Sequence, residues 1–349
     1  MSMKNIFISI SIVMIIFLGC LPIKETSLPS VAVENNRHEI LKNALQLTPI
    51  WEKIGLDIRD FLKLGAIGTM QDYLILVDYS TGSNNPRLIA YDFLTGNLVW
   101  EVVLPEPHLN LLIGQKSIFV SAGRSIMGYD GKTGKKIWEN HELPIYRVYA
   151  MQIYKNVIYY YYAEDSRNTR TQFIFQLDMD TGELLGIERI PNTSAMLWYQ
   201  EYNKGYWLDT NKILYIDQTT AQIIWQTQLD TFRTNIKVID PDQGIILSTS
   251  HMEDVMYAIN AKNGALKWVS QQQLTSNPVI DNNSLFFLTS GKELIKSDLQ
   301  TGELVASTSF THQDDDNTNN LYNLMAVSGD LIAIYFADNS QLTVYKITK

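Results

Sequence analysis

Residues 90–100 read AYDFLTGNLVW, and the chain is written around versions of this phrase. It returns at residues 128–138, 176–186, 215–225, 258–268 and 296–306. The grammar is often a small residue, an Asp two positions on, then Thr-Gly, then a large apolar residue four after the Gly. An Asp carboxylate accepts hydrogen bonds from turn amides, Gly takes a positive φ without steric cost, and Trp suits a buried strand face. The phrase therefore predicts the end of one strand, a tight turn and the start of the next.

The Asp slot is filled by Asp92, Asp130, Asp178, Asp217, Asn260 and Asp298, at spacings of 38 to 48 residues. A recurrence of about 40 residues, with room for four short strands in each, is the period of a propeller blade. Ile50-Trp51-Glu52 echoes Val99-Trp100-Glu101 and Ile137-Trp138-Glu139 with no hairpin in front of it, so it is a fourth strand without its first three. Apolar runs at 324–327, 331–336 and 341–347 supply three strands whose hairpin never comes. Joined, the two ends make a seventh blade and close the ring without open sheet edges. The expectation is an all-β, seven-bladed propeller of four-stranded blades, with eight blades the alternative. Its outer strands fall at Trp51, Trp100, Trp138, Leu185, Trp225, Trp268 and Val305. Polar insertions at 163–171 and 311–320 read as loops.

The 349 residues could make one large domain or two, and the repeat favours one. A net charge of −9 and a pI near 5.1, with no Lys/Arg run or basic stripe, argue against a nucleic-acid partner. A monomeric ring with a solvated acidic surface is expected.

Cys20 is the single cysteine, which excludes an intramolecular disulfide framework and any multi-cysteine metal site. Lys4 forms a one-charge start, residues 6–18 are apolar or Ser-dotted, and Phe17-Leu18-Gly19-Cys20 closes the stretch. About 13 apolar residues fall short of the roughly 20 that span a bilayer. The segment resembles a bacterial lipoprotein signal. That resemblance implies cleavage before Cys20, lipidation of its sulfur and membrane anchoring there. The expected organisation is a signal peptide at 1–19, a polar, Pro-dotted tether at 20–46 and the propeller at 47–349.

Ala90, Asp92, Thr95, Gly96 and Trp100 meet in full the pattern Ala-x-Asp-x-x-Thr-Gly-x-x-x-Trp, which resembles the quinoprotein-type, PQQ-like propeller repeat. With the lipoprotein signal, the chain is similar to the outer-membrane assembly lipoproteins of the BamB kind. Those have eight blades against seven here, and two Trp slots of this chain hold Gly186 and Ala306. The resemblance implies a non-enzymatic, lipid-anchored scaffold that binds protein partners in the cell envelope, facing the periplasm or the cell exterior. The alternatives are a glycan- or ligand-binding sensor and a quinone-dependent dehydrogenase.

The dehydrogenase relatives hold pyrroloquinoline quinone above a calcium ion, using adjacent cysteines, or a base and cation ligands in the central channel. Nothing in this sequence marks such a cluster. His38, His108, His141, His251 and His312 have no metal-ligand spacing, and Asp314-Asp315-Asp316 lacks the alternating oxygens and Gly of a calcium loop. No catalytic residue, cofactor or metal ligand is assigned. Aromatic residues are dense at 146–162 and 198–207, and Trp198 and Trp207 are the tryptophans outside the repeat slot. The polar run between them reads as a loop with aromatic residues at its rim. Trp198, Tyr199, Tyr202 and Trp207 are therefore the expected partner-contacting residues.

Overall fold

A computed structural model of the protein describes residues 44–58, 66–80, 86–105, 109–122, 125–141, 143, 148–165, 170–190, 197–201, 204–209, 211–217, 220, 222–230, 234–240, 243–250, 254–290, 292–310, 323–337 and 339–348. The chain divides into two compact units, Met1–Glu39 and Ile40–Lys349, and every described residue belongs to the second. Cys20, the signal segment and residues 21–43 lie outside the described residues.

The second unit is built from seven four-stranded antiparallel sheets, the blades that the repeat predicts. In blades one to six the strands follow in chain order, ending in the outer strands Leu98–Val103, Lys136–Asn140, Leu184–Ile190, Gln222–Gln228, Leu266–Gln271 and Leu304–Ser309. Blade seven takes Leu324–Ser328, Leu331–Phe336 and Gln341–Thr348 from one part of the chain and its outer strand, Gln46–Ile54, from another. Gln46 lies opposite Thr348 and Ile54 opposite Gln341, so the ring closes by pairing its first and last strands. The middle strands lose the usual in–out alternation because neighbouring blades cover both faces. Tyr159, Tyr160 and Tyr161 are consecutive and all buried.

Blade three departs from the expectation at residues 163–171. Its second and third strands, Val157–Asp165 and Arg170–Asp178, stay paired through Ala163–Gln172, Glu164–Thr171 and Asp165–Arg170. The polar insertion lengthens a hairpin, and only 166–169 fall outside the described residues. The blade-seven insertion lies outside them.

The repeated phrase is a turn, a bulge and a reach to the next blade. Asp92 Oδ1 accepts from the Thr95 amide and the Thr95 hydroxyl, both at 2.7 Å, while the Gly96 amide donates to the Asp92 carbonyl at 2.9 Å. The same turn recurs at Asp130, Asp178 and Asp298. In all seven outer strands the residue before the Trp slot is a bulge, from Ile50 and Val99 round to Val305. The extra residue turns outward, leaving its successor to face the neighbouring blade.

That successor packs onto the Gly of the next blade's turn. A Cβ on Gly96 would fall 2.6 Å from Trp51, one on Gly134 2.7 Å from Trp100, and one on Gly182 2.3 Å from Trp138. Gly264 stands likewise under Trp225 and Gly302 under Trp268. The indole N–H of Trp51, Trp100, Trp138 and Trp268 donates to the carbonyl of Phe93, Gly131, Met179 and Leu299, one residue past the Asp of that turn or its equivalent, at 2.9 to 3.0 Å. The turn Gly is therefore fixed twice, by its positive φ and by the ring above it. Each such Trp removes an area from water worth roughly 3 kcal/mol.

In blades one, two and five the Trp faces a small residue of its own blade: Ala90 opposite Trp100, Gly128 opposite Trp138, Ala258 opposite Trp268. Where the slot is Gly186 or Ala306, the residue opposite is Gln176 or Lys296. Small residue, Trp and the next blade's Gly thus form one packing unit at Trp100, Trp138 and Trp268, whereas Trp51 and Trp225 keep the Gly contact with Val344 and Tyr215 opposite them.

Ring closure is locked by polar contacts around blade one. The Tyr335 hydroxyl donates to the Leu56 carbonyl at 3.0 Å and accepts from the Ile58 amide at 3.3 Å. Asp78, wholly buried, accepts from the amides of Asp57 and Ser80, the Ser80 hydroxyl, and Arg87 at 2.6 Å. Burial alone would raise the Asp78 pKa, but these donors outweigh it and hold the carboxyl below the usual range.

Candidate interaction surface

The bulges give the rim of the ring an apolar character. Exposed aliphatic side chains concentrate on four outer strands: Leu98, Val99 and Val103 on blade one, Leu184, Leu185 and Ile187 on blade three, Ile223 and Ile224 on blade four, and Ile50 and Ile54 on blade seven. These strands are sheet edges, where main-chain groups face outward between the side chains.

The aromatic residues singled out from the sequence fall in the inner half of blade four. Trp198 and Tyr199 lie on its first strand, Leu197–Glu201, and Trp207 on its second, Lys204–Asp209. Leu197 pairs with Trp207, Trp198 with Tyr206 and Tyr199 with Gly205. The run read as a loop is therefore largely paired strand, and Tyr202 lies outside the described residues. Tyr206, between them in sequence, is fully buried, stacks on Tyr215 at 4.7 Å and donates to the Ala261 carbonyl of blade five.

A cavity of about 360 Å³ opens between blades one and two, lined by Val102, Leu104, Met127, Tyr129, Lys136 and Glu139. Burial, with the charge of Glu139 behind it, pushes the Tyr129 phenol up to about 12. It stays protonated at neutral pH and points at the Met127 sulfur, 3.2 Å away. Lys136 pairs with Glu139 at the mouth. That leaves an apolar recess without converging reactive groups.

Among the described residues no three His, Cys, Asp or Glu side chains stand together as a metal site.

Residues 48–196 and 206–347 match the family model described as outer membrane protein assembly factor BamB. The chain belongs to this BamB family. No curated protein matches it. Among solved structures, BamB from Moraxella catarrhalis is 15% identical, with 86% of this chain and 100% of that chain covered, at a TM-score of 0.48. A chain of the mitotic checkpoint complex is 13% identical, covering 89% and 95%, with a TM-score of 0.62. The Cps50 (Swd1) β-propeller domain of Myceliophteria thermophila is 11% identical, covering 85% and 100%, with a TM-score of 0.56. At these identities the last two likenesses speak for the propeller fold alone.

The signal that sequence reading missed is the outer-strand bulge. Paired aliphatics before the Trp slot, such as Leu98-Val99, Leu184-Leu185 and Ile223-Ile224, break strand alternation and mark it.

Proposed function

We propose that this protein is a lipid-anchored, non-catalytic scaffold of the bacterial cell envelope whose ring binds protein partners. The observation that carries the reading is the family match across nearly all of the ring. It is supported by the lipoprotein-like signal ending at Cys20, by the apolar edge strands of the rim and by an acidic chain of net charge −9. Residues 1–19 act as the signal and 20–46 as the tether, with the mature chain facing the periplasm or the cell exterior. Trp198, Tyr199, Tyr202 and Trp207 are the proposed partner-contacting residues of blade four.

The test is cross-linked capture from the native host, paired with membrane fractionation. Wild type should recover a defined envelope protein and partition with membranes, whereas Cys20→Ala should be released into the soluble fraction. Tyr199→Ser with Tyr202→Ser should weaken capture while the melting temperature stays within a few degrees. Cys20→Ala that still partitions wholly with membranes after demonstrated cleavage removes the anchor from the reading. The absence of any specific partner removes the scaffold.

A further inference from the structure

A tyrosine stands at one position in three neighbouring blades, Tyr91 in blade one, Tyr129 in blade two and Tyr345 in blade seven, next to the residue opposite the Trp slot. Each faces the preceding blade of the ring. In two of the three, that blade covers it. Lys53, two past the slot of blade seven, holds its ammonium 5.4 Å from the centre of the Tyr91 ring, and Phe310, four past the slot of blade six, packs 5.5 Å from Tyr345. Leu45 joins the blade-six cluster from outside the sheet. Its amide donates to the Ser307 carbonyl at 2.9 Å and Ala44 pairs with Ser307 in parallel, so a segment added to an outer strand puts an aliphatic side chain between two blades.

Over Tyr129 the corresponding residues are Val102 and Leu104, and there the cavity of about 360 Å³ opens. All the residues that line it are described. Val102 differs in a second way. Two past the slot, Asn140 donates to the Gly182 carbonyl at 2.8 Å and Thr227 to the Gly264 carbonyl, each tying its strand to the next blade's turn. Val102 has no donor, and Gly134 stands in the cavity wall with its carbonyl free of that bond. The lip is Val103, 63% exposed on the edge strand Leu98–Val103. The opposite wall is basic, with Lys132, Lys135 and Lys136 on one hairpin. Lys136 is paired with Glu139, Lys132 lies close to Asp130, and Glu101 of the edge strand belongs to Arg87. That leaves Lys135 exposed with no ion pair among the described residues.

We infer that this groove between blades one and two docks an extended segment of a partner protein, which seats a tryptophan in the cavity and sets an acidic residue beside Lys135. The segment pairs with the Leu98–Val103 edge as Ala44 pairs with Ser307 at blade six. A tryptophan meets both demands of the recess. Its flat ring covers Val102, Met127 and Tyr129 as Phe310 covers Tyr345, and its N–H supplies the donor that the Gly134 carbonyl lacks. The ring's own tryptophans make the same kind of bond to main-chain carbonyls of the turns. The occupant is another protein because this chain's leading segment is committed at blade six, and a peptide rather than a small molecule because the cavity continues into an unpaired strand edge. This inference rests on the scaffold reading and gives it a place and a partner chemistry.

The test uses the mature chain, carbon-13 labelled at its methionine methyls, and the synthetic peptide SVTWDVS. The Met127 signal, identified by its loss in Met127→Leu, should shift saturably, while that of Met325 between blades six and seven should stay in place. Val102→Asn, which gives the Gly134 carbonyl a donor, and Val102→Lys, which lays a stem over Tyr129, should each weaken binding at least tenfold with the melting temperature within a few degrees. The peptides SVTADVS and SVTWKVS should bind at least tenfold and threefold more weakly, and Lys135→Glu should reverse the preference between SVTWDVS and SVTWKVS. Ile223→Asp on blade four should leave binding unchanged. No saturable shift of Met127, equal binding of SVTADVS, or wild-type affinity in both Val102 variants overturns the groove. So does free indole that binds as tightly as the peptide, since the occupant would then be a small aromatic molecule. A wild type that dimerises where Val102→Lys stays monomeric overturns it too, the occupant being a second copy. Host capture separates the two readings. Undiminished capture of one partner by both Val102 variants sinks the groove and leaves the scaffold, while capture of nothing by wild type sinks the scaffold.

Discussion

The Tyr206 hydroxyl holds the Ala261 carbonyl at 3.0 Å, the acceptor in blade five that corresponds to those used by the slot tryptophans elsewhere, and Trp225 is left with a buried indole N–H that has no hydrogen-bond partner. Its ring still covers Gly264, and it lies 5.7 Å from both Tyr206 and Tyr215. The difference is Tyr215, which stands opposite Trp225 where blades one, two and five place Ala or Gly and blade seven Val344. A large ring in that position tilts the indole away from its acceptor, and a second Tyr takes the bond.

Removing the Tyr206 hydroxyl should therefore be mild. Tyr206→Phe frees the Ala261 carbonyl for Trp225 and should cost under about 1 kcal/mol. Tyr335→Phe strips partners from both the Leu56 carbonyl and the Ile58 amide and should cost about 1–3 kcal/mol. Urea denaturation of the two variants, with unchanged slopes, gives the comparison. A larger loss for Tyr206→Phe than for Tyr335→Phe would contradict it.

The packing unit of small residue, Trp and Gly should be transplantable as a unit. Gln176→Ala, Gly186→Trp and Ala221→Gly together should stabilise the ring by about 1–3 kcal/mol through burial of one indole. Gly186→Trp without Ala221→Gly, the sequence position that corresponds to the turn Gly, should gain less, since a Cβ on the turn Gly falls 2.3 to 2.7 Å from the indole in the five Trp–Gly pairs. A thermodynamic cycle over the two positions should show coupling of about 1 kcal/mol or more; simple additivity would refute the unit.

Closure predicts a contrast between two deletions. Loss of residues 47–53 removes Trp51 and most of the partner of Gln341–Thr348, exposing an edge in blade seven. The melting temperature should fall by many degrees. Deletion of residues 26–36, outside the described residues, should leave it within a degree or two. Calorimetry of both deletion variants in parallel decides, and equal melting temperatures would show that closure adds nothing to the stability of the ring.

The turn carboxylates predict the acid side of the stability curve. Thr95 holds Asp92 below the ordinary carboxylate range, and Thr133, Thr181 and Thr301 do the same for Asp130, Asp178 and Asp298. A lowered folded pKa gives stability that is present above the unfolded value of about 3.9 and is lost as pH falls through the folded value. Asn260 fills the same turn with an uncharged acceptor, taking the Lys262 amide at 2.9 Å. Asp92→Asn should therefore be nearly silent at pH 7 and should shallow the fall in melting temperature below about pH 4. An Asn variant with an unchanged acid slope would show that the turn contributes nothing to it.

Blade number, closure by the chain ends and the turn chemistry were legible because each is written within about ten consecutive residues. The partner of each tryptophan was not. Trp100 and Gly134 belong to two copies of the phrase, and nothing local to either says that one covers the other. For the same reason Gly186 read as a missing Trp, when it belongs with Gln176 opposite it. The aromatic stretch of blade four misled in the other direction. The polar residues Gln200, Glu201, Asn203 and Lys204 suggested a loop, yet the ladder from Leu197–Trp207 to Glu201–Lys204 runs through most of them. On an inner strand, polar side chains and a paired backbone coexist.

The pairing of Gln46–Ile54 with Gln341–Thr348 also sets an order of events during synthesis. Leu45 and Trp51 leave the ribosome early, and the residues that bury and pair them come almost last. Until then Trp51 has its turn in blade one but no sheet to belong to, and six blades stand as an arc with two raw ends. Contacts spanning nearly the whole chain are slow to form. The nascent protein therefore has no shortcut to its finished ring, and any handling of the chain before its final strand arrives meets a half-built object.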